Sequence, residues 1–294
     1  MQPIVPFRWN LLAGRLPDLT GVAGEEAPWP DYRQELLALA ARVWVARGEA
    51  DLVFVGRSCE SLFDLLGGLL HGRPEGRSLR LLLLSLAGSG ERDLRSPGLR
   101  ANLAAAGLAP AALLGRRRPV ALVDVVASGE TFQRLLRALR LWCQELRLDP
   151  AAVRRKLQVV ALSDHRYSRW RGWQGRLVGL ADRVRQVSVP ARLWRYLADR
   201  QAKVTPSHPP RRWDDPRAAR PAREPEHLAA LRAAVGLAAW GREPSTRAGF
   251  RRQLGRPAAW PPPAPVAVRP AWRHDRRPRA RVLPLARALA EYEA

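Results

Sequence analysis

The chain has 294 residues, 47% of them hydrophobic, with 50 Lys and Arg against 27 Asp and Glu, a formal charge of +23. So much apolar surface excludes a chain disordered throughout and suffices for one sizeable core with a smaller appendage. Two cysteines, Cys59 and Cys143, exclude a disulfide framework and a cysteine zinc cluster, and make a reducing cytoplasm the expected compartment.

Residues 1–31 are rich in Pro and Trp and read as an arm laid over the body. The opening MQPIVPFRWN has two prolines and no signal-like apolar stretch, so a soluble, unexported protein is expected. Asp31 stands where it would cap a helix to about Arg47, with Leu36, Leu37, Ala40, Val43 and Trp44 as its apolar stripe. DLVFVG (51–56) is a β-branched run ending in Gly, a buried strand, and a helix follows from Glu60 to about Leu70. LRLLLLSL (79–86) reads as a strand, being short and set between turns. The surrounding apolar run carries Arg80 and is about half the roughly 20 residues of a membrane span. An Ala/Leu helix is expected near 99–114.

RPVALVDVV (118–126) is a second buried strand, ASGET a small-residue turn, and Thr131 to about Leu146 an amphipathic helix studded with arginine. KLQVVALSD (156–164) is a third strand. This alternation predicts an α/β fold, a mainly parallel, doubly wound sheet flanked by helices, with chemistry at the carboxyl ends of the strands. The candidate loops are 56–60, 124–131 and 163–173.

Composition shifts near Thr205. From Arg200 onward there are 20 basic and 8 acidic residues, about half of the net charge, among proline-rich stretches. Helices are expected at 224–241 and 283–292, with linker or surface wrap between. The predicted organisation is an N-terminal arm and helix (1–48), a core (49–206), and a basic Pro/Arg/Trp-rich C-terminal extension (207–294). All basic residues except Lys156 and Lys203 are arginine, which the coding habit of a GC-rich genome explains in part. The charge still attracts phosphates.

In VALVDVVASGETF (120–132) a buried strand delivers Asp124 to the sheet edge, and Ser128, Gly129, Glu130 and Thr131 follow at a helix start. Backbone N–H groups and two hydroxyls there suit a phosphate, aided by the helix dipole, while the carboxylate suits a ribose diol. The plain alternative is an ordinary strand-to-helix connection with a Ser or Thr cap.

This segment resembles the PRPP-binding loop of type I phosphoribosyltransferases: apolar residues, two acids, then a small-residue run ending T/S-G-x-T. Asp124 falls on the second acid, Val123 replaces the first, and Ala127 stands where a further Asp is often found. FVGRSCESLFDLL (54–66) is similar to the first strand and pyrophosphate loop, and VSVPARLW (187–194) looks like the late strand. The resemblance covers roughly residues 50–200. It implies a phosphoribosyltransferase-like fold that binds PRPP or a nucleotide monophosphate. It also implies transfer of phosphoribosyl to or from a base with pyrophosphate exchange, a pentosyl transfer supported by substrate-bound Mg2+.

The resemblance gives Ala127, Ser128, Gly129, Glu130 and Thr131 the ribose phosphate, Asp124 the ribose hydroxyls and the catalytic role, and Gly56, Arg57 and Ser58 the pyrophosphate. The base would lie against Asp164, Trp170 and Trp194. Arg57 would otherwise salt-bridge Glu60 or Asp64, Cys59 reads as a buried thiol, and the tryptophans of 163–173 would otherwise pack on the sheet. The five histidines show no metal-ligand spacing, so no protein metal site is expected. Two other functions remain open: a non-catalytic ribose-phosphate or nucleotide sensor, and a nucleic-acid-binding protein using the basic C-terminal region.

Overall fold

Five runs rich in Val and Leu pair into a sheet: β1 (Asp51–Val55), β2 (Leu79–Leu82), β3 (Val120–Val125), β4 (Leu157–Asp164) and β5 (Val184–Val189). All pairs are parallel, and the order across the sheet is β2-β1-β3-β4-β5. The computed structural model describes residues 4–12, 16, 19, 27–86, 88–164, 177 and 180–255. These belong to one unit, whose limit is Pro257.

Near-continuous burial of the inner strands β1, β3 and β4 follows from helices on both faces, as a parallel sheet requires. Leu52 and Phe54 of β1, Ala121 and Val123 of β3, and Val160 and Leu162 of β4 share one apolar cluster with α1 (Tyr32–Ala46), α2 (Glu60–Leu69) and α7 (Ala191–Arg195). The alternate residues, Val53, Val55, Leu122, Val159 and Ala161, join the opposite cluster with α3 (Pro97–Ala105), α4 (Pro110–Leu114), α5 (Glu130–Glu145) and α6 (Pro150–Arg155). The period of two along each strand thus sorts its side chains between two layers.

Several elements differ from their sequence-based expectation. The helix expected over 99–114 is two, α3 and α4, because Pro110 starts a new helix where its missing N–H is harmless. The strand from Leu79 leaves its ladder after Leu82, although Leu84 and Leu86 stay buried. In VSVPARLW the strand stops at Val189, and Pro190, which has no N–H for a ladder, leads into α7. Trp194 therefore sits on a helix. Asp31 precedes α1 as expected, but its carboxylate makes no capping bond.

The boundary expected near residue 207 does not divide the structure. Trp213 is 1% exposed within the α3/α5 cluster, and its indole Nε1 donates to the His208 carbonyl at 2.9 Å. Beyond it, α8 (Pro225–Arg242) lies directly on α2. A Cβ at Gly68 would stand 2.2 Å from the Ala238 carbonyl oxygen, so the two backbones touch where only glycine fits. Leu237 of α8 and Phe250 of α9 (Pro244–Leu254) join the core cluster of α1 and α2. Residues 207–255 are a structural layer. The helix expected at 283–292 and the segment from 256 onward lie outside the described residues.

Candidate functional site

The strand order reverses between β1 and β3: the chain passes from β1 outward to β2, then returns to β3 on the other side. At such a point the connections diverge and leave a crevice beyond the carboxyl ends of the two strands. The loops 56–60 and 126–131 flank that crevice, because they follow β1 and β3.

The 126–131 turn is exposed at Ala127, Ser128 and Glu130, while Val126 and Gly129 are buried. Gly129, the N-cap of the 16-residue helix α5, has a φ of 73°. That left-handed conformation lets the backbone reverse into the first turn of α5, whose opening N–H groups have no intrahelical partner. Ser128 Oγ accepts weakly from Glu130 N at 3.4 Å. The Glu130 carboxylate is drawn back along the helix to Arg134, whose guanidinium also donates to the Leu86 carbonyl at 3.0 Å. The negative charge nearest the turn is thereby neutralised from within α5.

Asp124 is 7% exposed. Its Oδ1 accepts from Val125 N at 2.8 Å, and its Oδ2 makes no hydrogen bond among the described residues. Burial pushes the carboxyl up to about 8, while the Val125 N–H and the Lys203 ammonium pull the other way. Near neutral pH this acid holds its proton. The adjoining Cys59 thiol is fully buried and pushed up by burial and by Asp124, so it is not a thiolate nucleophile.

The 56–60 loop is closed by the chain itself. Residues 201–208 pass over it as a strap. Gln201 Nε2 donates to the carbonyls of Arg57 at 3.0 Å and Ser58 at 2.9 Å, and its Oε1 accepts from Ser61 Oγ at 2.6 Å. Arg57 donates to the Thr205 carbonyl at 2.9 Å. Glu60, 2% exposed, accepts from Val204 N at 2.8 Å and from Thr205 Oγ1. Ser85 N reaches the His208 carbonyl at 3.0 Å, tying the strap to the segment after β2. Lys203 donates to Leu197 O at 2.9 Å, and burial pushes its ammonium down to about 8 against the pull of Glu60.

Of the residues expected at a base, Asp164 is 1% exposed at the end of β4 and Trp194 is a core side chain whose indole donates to Leu162 O at 3.2 Å. Trp170 lies outside the described residues, as does most of the 163–173 loop. The structure therefore places Asp124 and the 127–131 turn, which end and follow β3, beside Gly56, Arg57 and Ser58, which follow the adjacent strand β1, at the carboxyl edge of the sheet. It adds Gln201, Lys203, Thr205 and Glu60, which the sequence reading did not select. One signal was available: Lys203 is one of two lysines in a chain whose other cations are all arginine.

The residues present do not fit a magnesium site at this crevice. Asp124 is protonated near neutral pH, and both Glu60 carboxylate oxygens are already bonded to the strap. No group of three or more His, Cys, Asp or Glu suited to a metal occurs among the described residues. No helix among those residues is long and apolar enough to cross a membrane.

Comparison of the chain with family models, with curated proteins and with solved structures found no match. The sheet order occurs with many unrelated activities, so the architecture carries no function by itself.

Proposed function

We propose that this protein is a phosphoribosyltransferase-like binder of a ribose 5-phosphate group, with a nucleoside monophosphate as its ligand, and that it acts as a sensor rather than a transferase. One contrast carries the reading: the turn after β3 is exposed at Ala127, Ser128 and Glu130, whereas the loop after β1 is bonded to residues 201–205. A transferase must hold a leaving pyrophosphate; here the Arg57 guanidinium, the cation suited to that task, already donates to the Thr205 carbonyl, and Gln201 pins the loop backbone under the strap. A monophosphate needs the turn alone.

The chemistry of binding follows from the turn. The N–H groups at the start of α5, Glu130 N exchanging its weak bond to Ser128 Oγ, and the Ser128 and Thr131 hydroxyls would take the phosphate oxygens, with the helix dipole adding a favourable field. Asp124 Oδ2 would meet the ribose hydroxyls. Neutralisation of Glu130 by Arg134 removes the repulsion that a carboxylate at this helix start would otherwise exert.

The test is isothermal titration of the full chain with adenosine, guanosine, cytidine and uridine monophosphates, with ribose 5-phosphate, and with PRPP plus magnesium. Saturable heat with at least one monophosphate, lost in Ser128→Asp, is the expected result. No heat with any of these ligands overturns the reading. Pyrophosphate release from PRPP with a nucleobase would keep the pocket but replace the sensor by an enzyme.

A further inference from the structure

Every strand of a parallel sheet starts at the same edge, so the loops leading into β1, β3, β4 and β5 gather at the end opposite the crevice. Two of them are basic triplets: Arg-Arg-Arg at 116–118 and Arg-Arg-Lys at 154–156. Val120 is paired with Leu157, its N–H bonds to the Lys156 carbonyl at 2.8 Å, and Lys156 Nζ donates to the Arg116 carbonyl at 2.7 Å. The triplets are therefore side by side. Arg183, on the way into β5, donates to the Arg155 carbonyl at the same edge, and the exposed Arg185 lies two residues further along β5, opposite Val160.

Among the described segments, the two ends of the sheet differ in charge. Segments 47–51, 115–119, 149–156 and 182–185 carry nine cationic side chains against four acidic ones. Around the crevice, segments 56–60, 124–131 and 190–205 with residue 164 carry five of each. The four acids at the basic edge only partly answer it: Asp51 pairs with Arg116, Asp149 with Arg155 at 3.7 Å and Asp182 with Arg183 at 3.9 Å. Arg117, Arg118, Arg154 and Arg185 have no carboxylate partner among the described residues. A coding preference for arginine explains how many there are; it does not explain why the two triplets lie side by side.

We propose that this edge binds the phosphate backbone of a nucleic acid. Adjacent strands are about 4.8 Å apart, so the basic stripe from β1 to β5 is roughly 15 Å wide. That width matches several successive phosphates, and planar guanidinium forks bond them in pairs. A membrane surface fits less well. The exposed large apolar side chains on segments leading to this edge are single residues, Val45 and Leu146, not the continuous apolar face that interfacial insertion buries. The contacts described are to phosphates, so binding without sequence preference is expected. This proposal does not depend on the monophosphate pocket.

Fluorescence anisotropy of the full chain with a labelled duplex and a labelled single-stranded RNA, each about 20 nucleotides long, at salt from about 50 to 200 mM tests it. The variant Arg117→Gln/Arg118→Gln/Arg154→Gln/Arg185→Gln should bind at least about 10-fold more weakly at mid-range salt, its log–log salt slope shallower by roughly 3 to 4. Four equivalent changes at the exposed Arg211, Arg220, Arg251 and Arg252 should alter affinity less than about 3-fold. Should the fourfold variant fail to fold, Arg117→Gln and Arg185→Gln alone should each reduce the slope by about 1. Equal losses in the two sets, an unchanged slope at the edge, or binding to phosphatidylserine vesicles with none to either nucleic acid would overturn the proposal.

Discussion

Gln201 and Arg57 are 144 residues apart in sequence, yet the Gln201 amide donates to the Arg57 carbonyl at 3.0 Å while the Arg57 guanidinium reaches past it to Thr205. The strap and the loop after β1 are thus locked in both directions. Gln201 is 3% exposed, so replacing it by Ala leaves buried carbonyls without donors. Gln201→Ala should lower unfolding stability by about 1–3 kcal/mol in urea titrations and raise affinity for inorganic pyrophosphate. Unchanged pyrophosphate affinity in a folded variant would mean that the strap does not guard that loop.

Asp124 is expected to trade stability for binding. Its folded carboxyl titrates near 8 instead of near 3.8, so between those values the native state keeps a proton that the unfolded chain releases. Stability contributed at this site therefore falls as pH rises from about 4 to 8. Asp124→Asn should remove that fall and stabilise the protein by about 1–3 kcal/mol at pH 8, a figure reduced by the partial charge compensation from Lys203. The same variant should bind monophosphates at least about 10-fold more weakly. Thermal melts at pH 5 and pH 8, paired with calorimetry, read both effects.

His208 titrates in the opposite sense. Burial pushes its imidazole down to about 4, and neither ring nitrogen has a hydrogen-bond partner among the described residues. Between about 4 and 6.5 the unfolded chain binds a proton that the native state refuses, so stability is lost as pH falls through that window. His208→Leu should flatten this acid loss and raise stability by about 1–3 kcal/mol, because the orphaned ring nitrogens disappear while apolar volume is kept. Acid titration followed by tryptophan fluorescence is the check. An unaltered acid midpoint would assign the loss to other groups.

The α2–α8 contact predicts what truncation does. Gly68→Val should unfold the protein or cost more than about 3 kcal/mol, since the new side chain would overlap the Ala238 backbone. Ending the chain at residue 206 should likewise give aggregated material, because Trp213, Leu237 and Phe250 leave buried apolar partners exposed. A monomeric, cooperatively melting fragment 1–206 would refute this.

Much of the sheet was legible in the sequence because buried parallel strands are short and continuously apolar: DLVFV, VALVDV and LQVVALSD each lie within the segments read as strands. The 127–131 turn was legible for a similar reason, since a strand, an acid, a glycine and a helix start are all local signals. Pro190 was available as a breaker, yet a family pattern read through it as strand. The break between α3 and α4 was likewise announced by Pro110.

What the sequence by itself determined is therefore the local part: four apolar runs, the helices between them, and a small-residue bend after Asp124. Tertiary structure alone decided that Asp124 keeps its proton, that Gln201 and Thr205 occupy the loop around Arg57, and that α8 belongs to the core. The reason is physical. Strand and turn preferences depend on neighbours within a few residues, whereas desolvation and hydrogen-bond competition depend on groups that meet only after more than a hundred residues of chain have folded back.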